Sequence, residues 1–182
     1  MPHPKLMLPA SNGRIQSLGD KFKSNMTNPR SPEETLAALG YALPRPPSVG
    51  GNYVSAKRIG EVLYLSGAIS VGAGGVITGT AGADRSVEEG YAAARACALT
   101  QLAVLKQELG SLDRVSEVLT VNGYVNAAPG FGDSPAVVNG ASDLLVQVFG
   151  EAGRHARAAV GVSALPRNAL AEIQMTVKVK NP

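Results

Sequence analysis

The side chains of this 182-residue chain best suited to chemistry lie near its C-terminus. Two strand-like runs, Ala156–Ser163 and Leu170–Lys180, are joined by a turn around Pro166, Arg167 and Asn168. Facing their apolar sets, Ala158–Val160–Val162 and Ile173–Met175–Val177, across an antiparallel pair sets Arg157, Ala159 and Gly161 beside Thr176, Gln174 and Glu172, away from the core. The planar guanidinium fork of an arginine gives a carboxylate two parallel charge-assisted hydrogen bonds. From residue type alone, Arg157 has two readings: an ion pair with Glu172, the simpler one, or a clamp for a ligand carboxylate. Glu172 can accept a proton from water at neutral pH, whereas the Gln174 amide cannot. Both Glu172 and Gln174 are candidates for a catalytic role, of which only Glu172 could accept a proton.

Other chemistries find little support. Cys97 is the single cysteine, so neither an intrachain disulfide nor a thiolate metal cluster can form, and its place beside an apolar helical stripe makes it a small core residue. His3 and His155 are too few and too far apart for zinc, so no metal is expected. The glycines of 72–75 lack the lysine and helix start of a phosphate loop and read as a hairpin connection. No cofactor is expected.

The elements that must position these groups are legible from caps and periodicity. Ser31–Pro32–Glu33–Glu34 opens a short helix, and the prolines at 44, 46 and 47 mark a linker. Tyr53–Lys57 and Val62–Ser66 form short strands separated by Arg58–Glu61. Ser86 and Glu89 make a capping box, and Gly110 ends the helix whose stripe runs Val87, Tyr91, Ala94, Ala98, Leu102, Leu105, Leu109. Val115–Asn126 alternates as a strand with Leu119, Val121 and Val125 on one face and Thr120, Asn122, Tyr124 and Asn126 on the other. A second long helix opens at Ser134–Pro135 and closes at Gly150. This order predicts an α+β layer, a mixed sheet with two helices packed on one face. The other sheet face needs a partner, and self-association around a closed axis supplies one.

Size and 45% hydrophobic content fit a single domain over 31–182, preceded by an extension over 1–30 of unassigned role. No apolar run approaches the roughly 18 residues of a membrane span, and the first thirty residues lack a secretory apolar core, so a cytoplasmic protein is expected. That extension holds five basic residues against one acidic, whereas residues 31–182 hold 12 basic and 13 acidic side chains. A near-neutral body with 4% aromatic residues disfavours nucleic acid, which calls for clustered cations and stacking rings.

The segment Ala156–Val162, with Leu165–Pro166 and Ala171–Glu172–Ile173, resembles the C-terminal signature of the RidA family of reactive intermediate deaminases, also known as YjgF-like or endoribonuclease L-PSP-like proteins. Gly51–Asn52–Tyr53–Val54, Leu65–Ser66–Gly67 and Val138–Asn139 agree in order and spacing, so the resemblance covers about residues 50–180. It implies a chorismate-mutase-like fold in a homotrimer whose central barrel leaves clefts between subunits. It also implies a ligand site made of Arg157, Tyr53, Ser66, Gly67 and Asn139. The ligand would be a small carboxylate metabolite such as a 2-keto or imino acid. Each residue also has a plain structural reading, such as a capping Ser66 or a solvated Asn139 beside Asp143.

Family deaminases hydrolyse enamines and imines with a cysteine two residues after the arginine and a glutamate on the last strand, where this chain is aligned with Ala159 and Gln174. The expected activity is thus an enamine/imine deaminase of reduced strength. A non-catalytic metabolite-binding trimer and an endoribonuclease or translation inhibitor are the alternatives.

Overall fold

The computed structural model describes residues 30–180, so the expected extension lies outside the described residues except for Arg30. Helix α1, Pro32–Ala38, starts at a capping box between Ser31 and Glu34. Helix α2, Val87–Leu109, starts at the same device between Ser86 and Glu89 and stops at Gly110, whose φ of 81° suits glycine. Helix α3 spans Ser134–Phe149 and ends at Gly150. Capping boxes start α1 and α2, a proline in the first turn starts α3 without a side-chain cap, and glycines close both long helices, which therefore fall where these signals predict.

Strands β1, Ala56–Ile59, and β2, Val62–Leu65, form a hairpin turned by Gly60 and Glu61 alone. The first strand therefore begins later than its alternation suggested, leaving Tyr53 in the preceding loop. Short β3, Ala68–Ile69, follows; β4, Val71–Gly72, and β5, Gly75–Val76, make the small glycine-rich hairpin. Strands β6, Val115–Asn126, β7, Ala156–Val162, and β8, Ala171–Val179, complete a sheet ordered β1-β2-β8-β6-β7, with β3 also pairing β8. The result is the expected α+β layer, with α2 and α3 covering one face and the shorter α1 as a third helix.

The expected antiparallel pair of the last two strands does not form. Strand β7 pairs β6 in parallel, Val121 opposite Arg157, and β6 separates it from β8. The β6–α3–β7 crossover explains this, because a strand returning after a helix lies parallel beside the strand it left. The consequence for orientation is large. Val121 is fully buried beneath the helices, so Arg157 opposite it points to the helix side, as do Ala159 and Gly161. Glu172, opposite Tyr124, and Gln174, opposite Asn122, face the other way. The Arg157–Glu172 ion pair is thus absent, and Ala159 and Gln174 do not face each other.

Along β6 a register shift between Val118 and Thr120 takes Leu119 out of simple alternation; Val118 enters the core in its place. Asn126, expected on the polar face, is buried. Leu102 and Leu105 of α2 and Leu144 and Leu145 of α3 pack on Val121, Ile173 and Met175 of the sheet. The two helices cross closely at Gly140, where a Cβ would run into the backbone carbonyl of Tyr91.

Candidate functional site

The expected site residues fall into two groups at opposite ends of the sheet. The first lies where β2 gives way to β3. Between the pairs Tyr64–Thr176 and Ala68–Ile173 the register along β8 slips by one residue, and Ser66 and Gly67 occupy the irregularity. Carbonyls that leave a ladder need another donor. The buried amide of Gln101 on α2 supplies it, donating through Nε2 to Ser66 O at 2.9 Å and Ile173 O at 2.6 Å. The Ser66 hydroxyl donates to Val54 O at 2.7 Å, tying the loop that carries Tyr53 to the strand end. Tyr53 accepts at its hydroxyl from the Gly50 N–H at 3.2 Å and leaves 53% of its surface open to solvent.

Glu172 projects from β8 into this region, and a Cβ at position 67 would collide with its carboxylate. Tyr53, Gly67, Ile69, Thr100, Arg167 and Glu172 line a cleft of about 470 Å³. Desolvation by this half-buried setting raises the carboxyl pKa above the ordinary value. Among the described residues Glu172 has neither a hydrogen-bond donor nor an ion-pair partner within bonding distance. A carboxyl so placed can trade a proton with a small molecule in the cleft. Gln174 lies on the outer sheet face, where its Oε1 accepts from Asn122 Nδ2 at 3.4 Å.

Arg167, on the cleft wall, has φ 58°, and Asn168 has φ 56°. Such left-handed conformations cost a non-glycine residue on the order of 1 kcal/mol. The buried Asn126 holds them, its Nδ2 donating to Gly79 O at 2.9 Å and to Asn168 Oδ1 at 3.2 Å.

The second group surrounds Arg157. Its Nη1 donates to Asn139 Oδ1 at 2.7 Å and to Ser142 Oγ at 3.1 Å, both on α3. Asn139 and Arg157, expected together, are together. His155, two residues before Arg157 on the same side of the chain, lies 3.0 Å from Ser142 Oγ through Nε2 and 2.7 Å from Gly153 O through Nδ1. Its pKa is lowered, chiefly by burial and further by the charge of Arg157, against the pull of the Gly153 carbonyl.

Sequence reasoning missed Gln101, Ser142 and the setting of His155. A glutamine between the apolar positions Ala98 and Leu102 was the signal for the first; the i, i+2 spacing of His155 and Arg157 was the signal for the last. Cys97 is a fully buried core residue whose thiol donates to Ala171 O at 3.5 Å, and burial pushes its pKa far up. Among the described residues, no group of three or more His, Cys, Asp or Glu side chains could hold a metal ion. No helix among them is long and apolar enough to cross a membrane.

Residues 33–179 match the family model described as "YjgF/chorismate mutase-like, putative endoribonuclease". The chain is 46% identical over 148 residues to Protein TCP17 of Trypanosoma cruzi, covering 80% of this chain and 92% of that protein. Among solved structures, Atu1372 of Agrobacterium tumefaciens is 40% identical with a TM-score of 0.76, over 82% of this chain and 94% of that one. A putative endoribonuclease of Shewanella oneidensis is 36% identical with a TM-score of 0.80, over 82% and 100%. RidA of an Antarctic Psychrobacter, at 23% identity and a TM-score of 0.52 over 74% and 94%, shares the fold. A family model matched over residues 33–179 and a relative 46% identical over most of both chains show that the chain belongs to the RidA-like YjgF family.

Proposed function

We propose that the protein is a homotrimer that binds a small carboxylate metabolite, a 2-keto or imino acid, in clefts between subunits and hydrolyses enamine or imine forms of it. The observation that carries this is the unpartnered, desolvated Glu172 carboxyl in the cleft with Tyr53 and Gly67. Within one protomer this cleft lacks Arg157, which sits beyond β8 and β6 on the opposite sheet face. A neighbouring copy bringing its β7 edge to the cleft would complete the site with an arginine. The outer sheet face supports such packing: Tyr64, opposite Thr176, and Val160, opposite Tyr124, are 48% and 45% exposed there.

In the reaction, water adds to the imine carbon and gives up a proton to Glu172. Glu172 hands that proton to the imine nitrogen, completing a carbinolamine, and then takes the hydroxyl proton and passes it to the nitrogen as the carbon–nitrogen bond breaks, to give a 2-keto acid and ammonia. A carboxyl with a raised pKa serves both transfers better than an ordinary one. With Ala159 where family deaminases carry cysteine, no thiol assists, and the rate falls below theirs. RNA cleavage, the activity named in the family description, has less support: residues 31–182 carry more acidic than basic side chains.

The test is ammonia and 2-keto acid release from 2-aminoacrylate generated in situ, for the wild type and Glu172→Gln. Turnover lost in the variant supports the reading. Turnover indistinguishable from the uncatalysed rate in the wild type, with 2-keto acids still bound, would leave a binding protein.

A further inference from the structure

Hydrogen-bond polarity around Arg157 follows from chemistry rather than from choice. The Gly153 carbonyl can only accept, so His155 Nδ1, 2.7 Å away, must carry the ring proton. Burial keeps the imidazole neutral near pH 7, which leaves Nε2 bare. The single proton of the Ser142 hydroxyl is then committed to Nε2 over 3.0 Å, and its oxygen turns lone pairs to Arg157 Nη1 at 3.1 Å. The second proton on Nη1 goes to Asn139 Oδ1 at 2.7 Å. Both protons of Nη1 are thereby used. Nε–H and the Nη2 protons have no acceptor among the described residues, and Nε–H with one Nη2–H forms the side-on edge that a carboxylate grips with two parallel bonds.

We propose that His155 and Ser142 are positioning residues: with Asn139 they form a one-way relay that locks the Nη1 end of Arg157 and presents its Nε–Nη2 edge to a ligand carboxylate. Its value for binding rests on the reading of Arg157 as the carboxylate clamp. Asn139 accordingly acts on the arginine, not on the ligand. The relay draws on three separate elements, α3, the 3₁₀ turn Gly150–Gly153 and β7, so it also fixes how β7 lies against α3. His155 would be replaceable only by a group that accepts from Ser142 at the same place.

Nitrogen-15 NMR of the free full-length protein and calorimetry with 2-oxobutanoate test this together, on wild type, Ser142→Ala, His155→Phe and Ser142→Thr. The expected result is a wild-type His155 in the Nδ1–H form and an Arg157 guanidinium with hindered rotation. Rotation should be freed in Ser142→Ala and His155→Phe and hindered again in Ser142→Thr, which restores the hydroxyl. Affinity for 2-oxobutanoate should fall about ten- to a hundredfold in the first two variants and return in the third, the range of a hydrogen bond to a charged group. His155 in the Nε2–H form in the wild type, a measurement that needs no variant to fold, would overturn the relay. So would guanidinium rotation unchanged by either substitution. If the wild type shows the hindered guanidinium and its release but binds no 2-oxobutanoate, the relay holds and the carboxylate reading of the site fails.

Discussion

The Glu172 carboxylate occupies the space that any side chain at position 67 would need, so Gly67 is present to admit the acid rather than to turn the backbone. Gly67→Ala should either push the carboxylate out of the cleft or spread β3 from β8. Overpacking of this kind typically costs about 1–3 kcal/mol. Chemical denaturation should register that loss, and turnover should fall with it. Unchanged stability and unchanged turnover would show that Glu172 has another conformation to take.

Glu172→Gln should lower imine hydrolysis by roughly 10²–10⁴-fold while leaving ligand binding largely intact, the usual weight of acid–base assistance. The same variant carries a signature in stability. Burial raises the folded-state pKa above the ordinary 4.5, so the native protein holds this proton more tightly than the unfolded chain. That contribution is present below the ordinary value and is lost as pH rises through the raised one. The melting temperature of Glu172→Gln, measured against wild type from about pH 4 to 7, should therefore gain on it as pH increases. A constant difference across that range would deny the shift.

Arg157→Ala should weaken a 2-keto acid by about 2–4 kcal/mol with the fold kept, because the charged partner of the ligand carboxylate is lost. Titration calorimetry reads this directly. Equal affinity in wild type and variant would remove Arg157 from the site.

Light scattering should give the mass of three 18.7 kDa chains at micromolar concentration. Val160→Glu puts a charge on the outer face of β7 and should dissociate the assembly, since a buried unpaired carboxylate is costly. A wild-type monomer would refute the assembly, and an intact Val160→Glu trimer would place the interface elsewhere.

Much of the fold was legible because its signals are local. Ser86 with Glu89, Gly110 and Gly150 are caps that act over one helical turn, and they set α2 and α3 within a residue. Strand partnership is not local. The matched alternation of β7 and β8 suggested a hairpin, yet the β6–α3–β7 crossover decided the pairing and turned Arg157 to the helix side. Apolar residues at 158, 160 and 162 face outward because Ala159 and Gly161 are the small residues that fit under α3; a Cβ at Gly161 would already touch Ser134. The candidate site was legible as a set of residues, Tyr53, Ser66, Gly67, Asn139 and Arg157. Its division between two ends of a sheet was not, since the motif order holds no record of which strands lie between.

That division has a genetic consequence. In the proposed trimer each cleft draws its arginine from one subunit and its carboxylate from the next. Two inactive proteins, Arg157→Ala and Glu172→Gln, refolded or expressed together should then rescue each other. With random mixing in equal amounts, about a quarter of the clefts would carry both wild-type groups, a complementation that a site confined to one chain could never show.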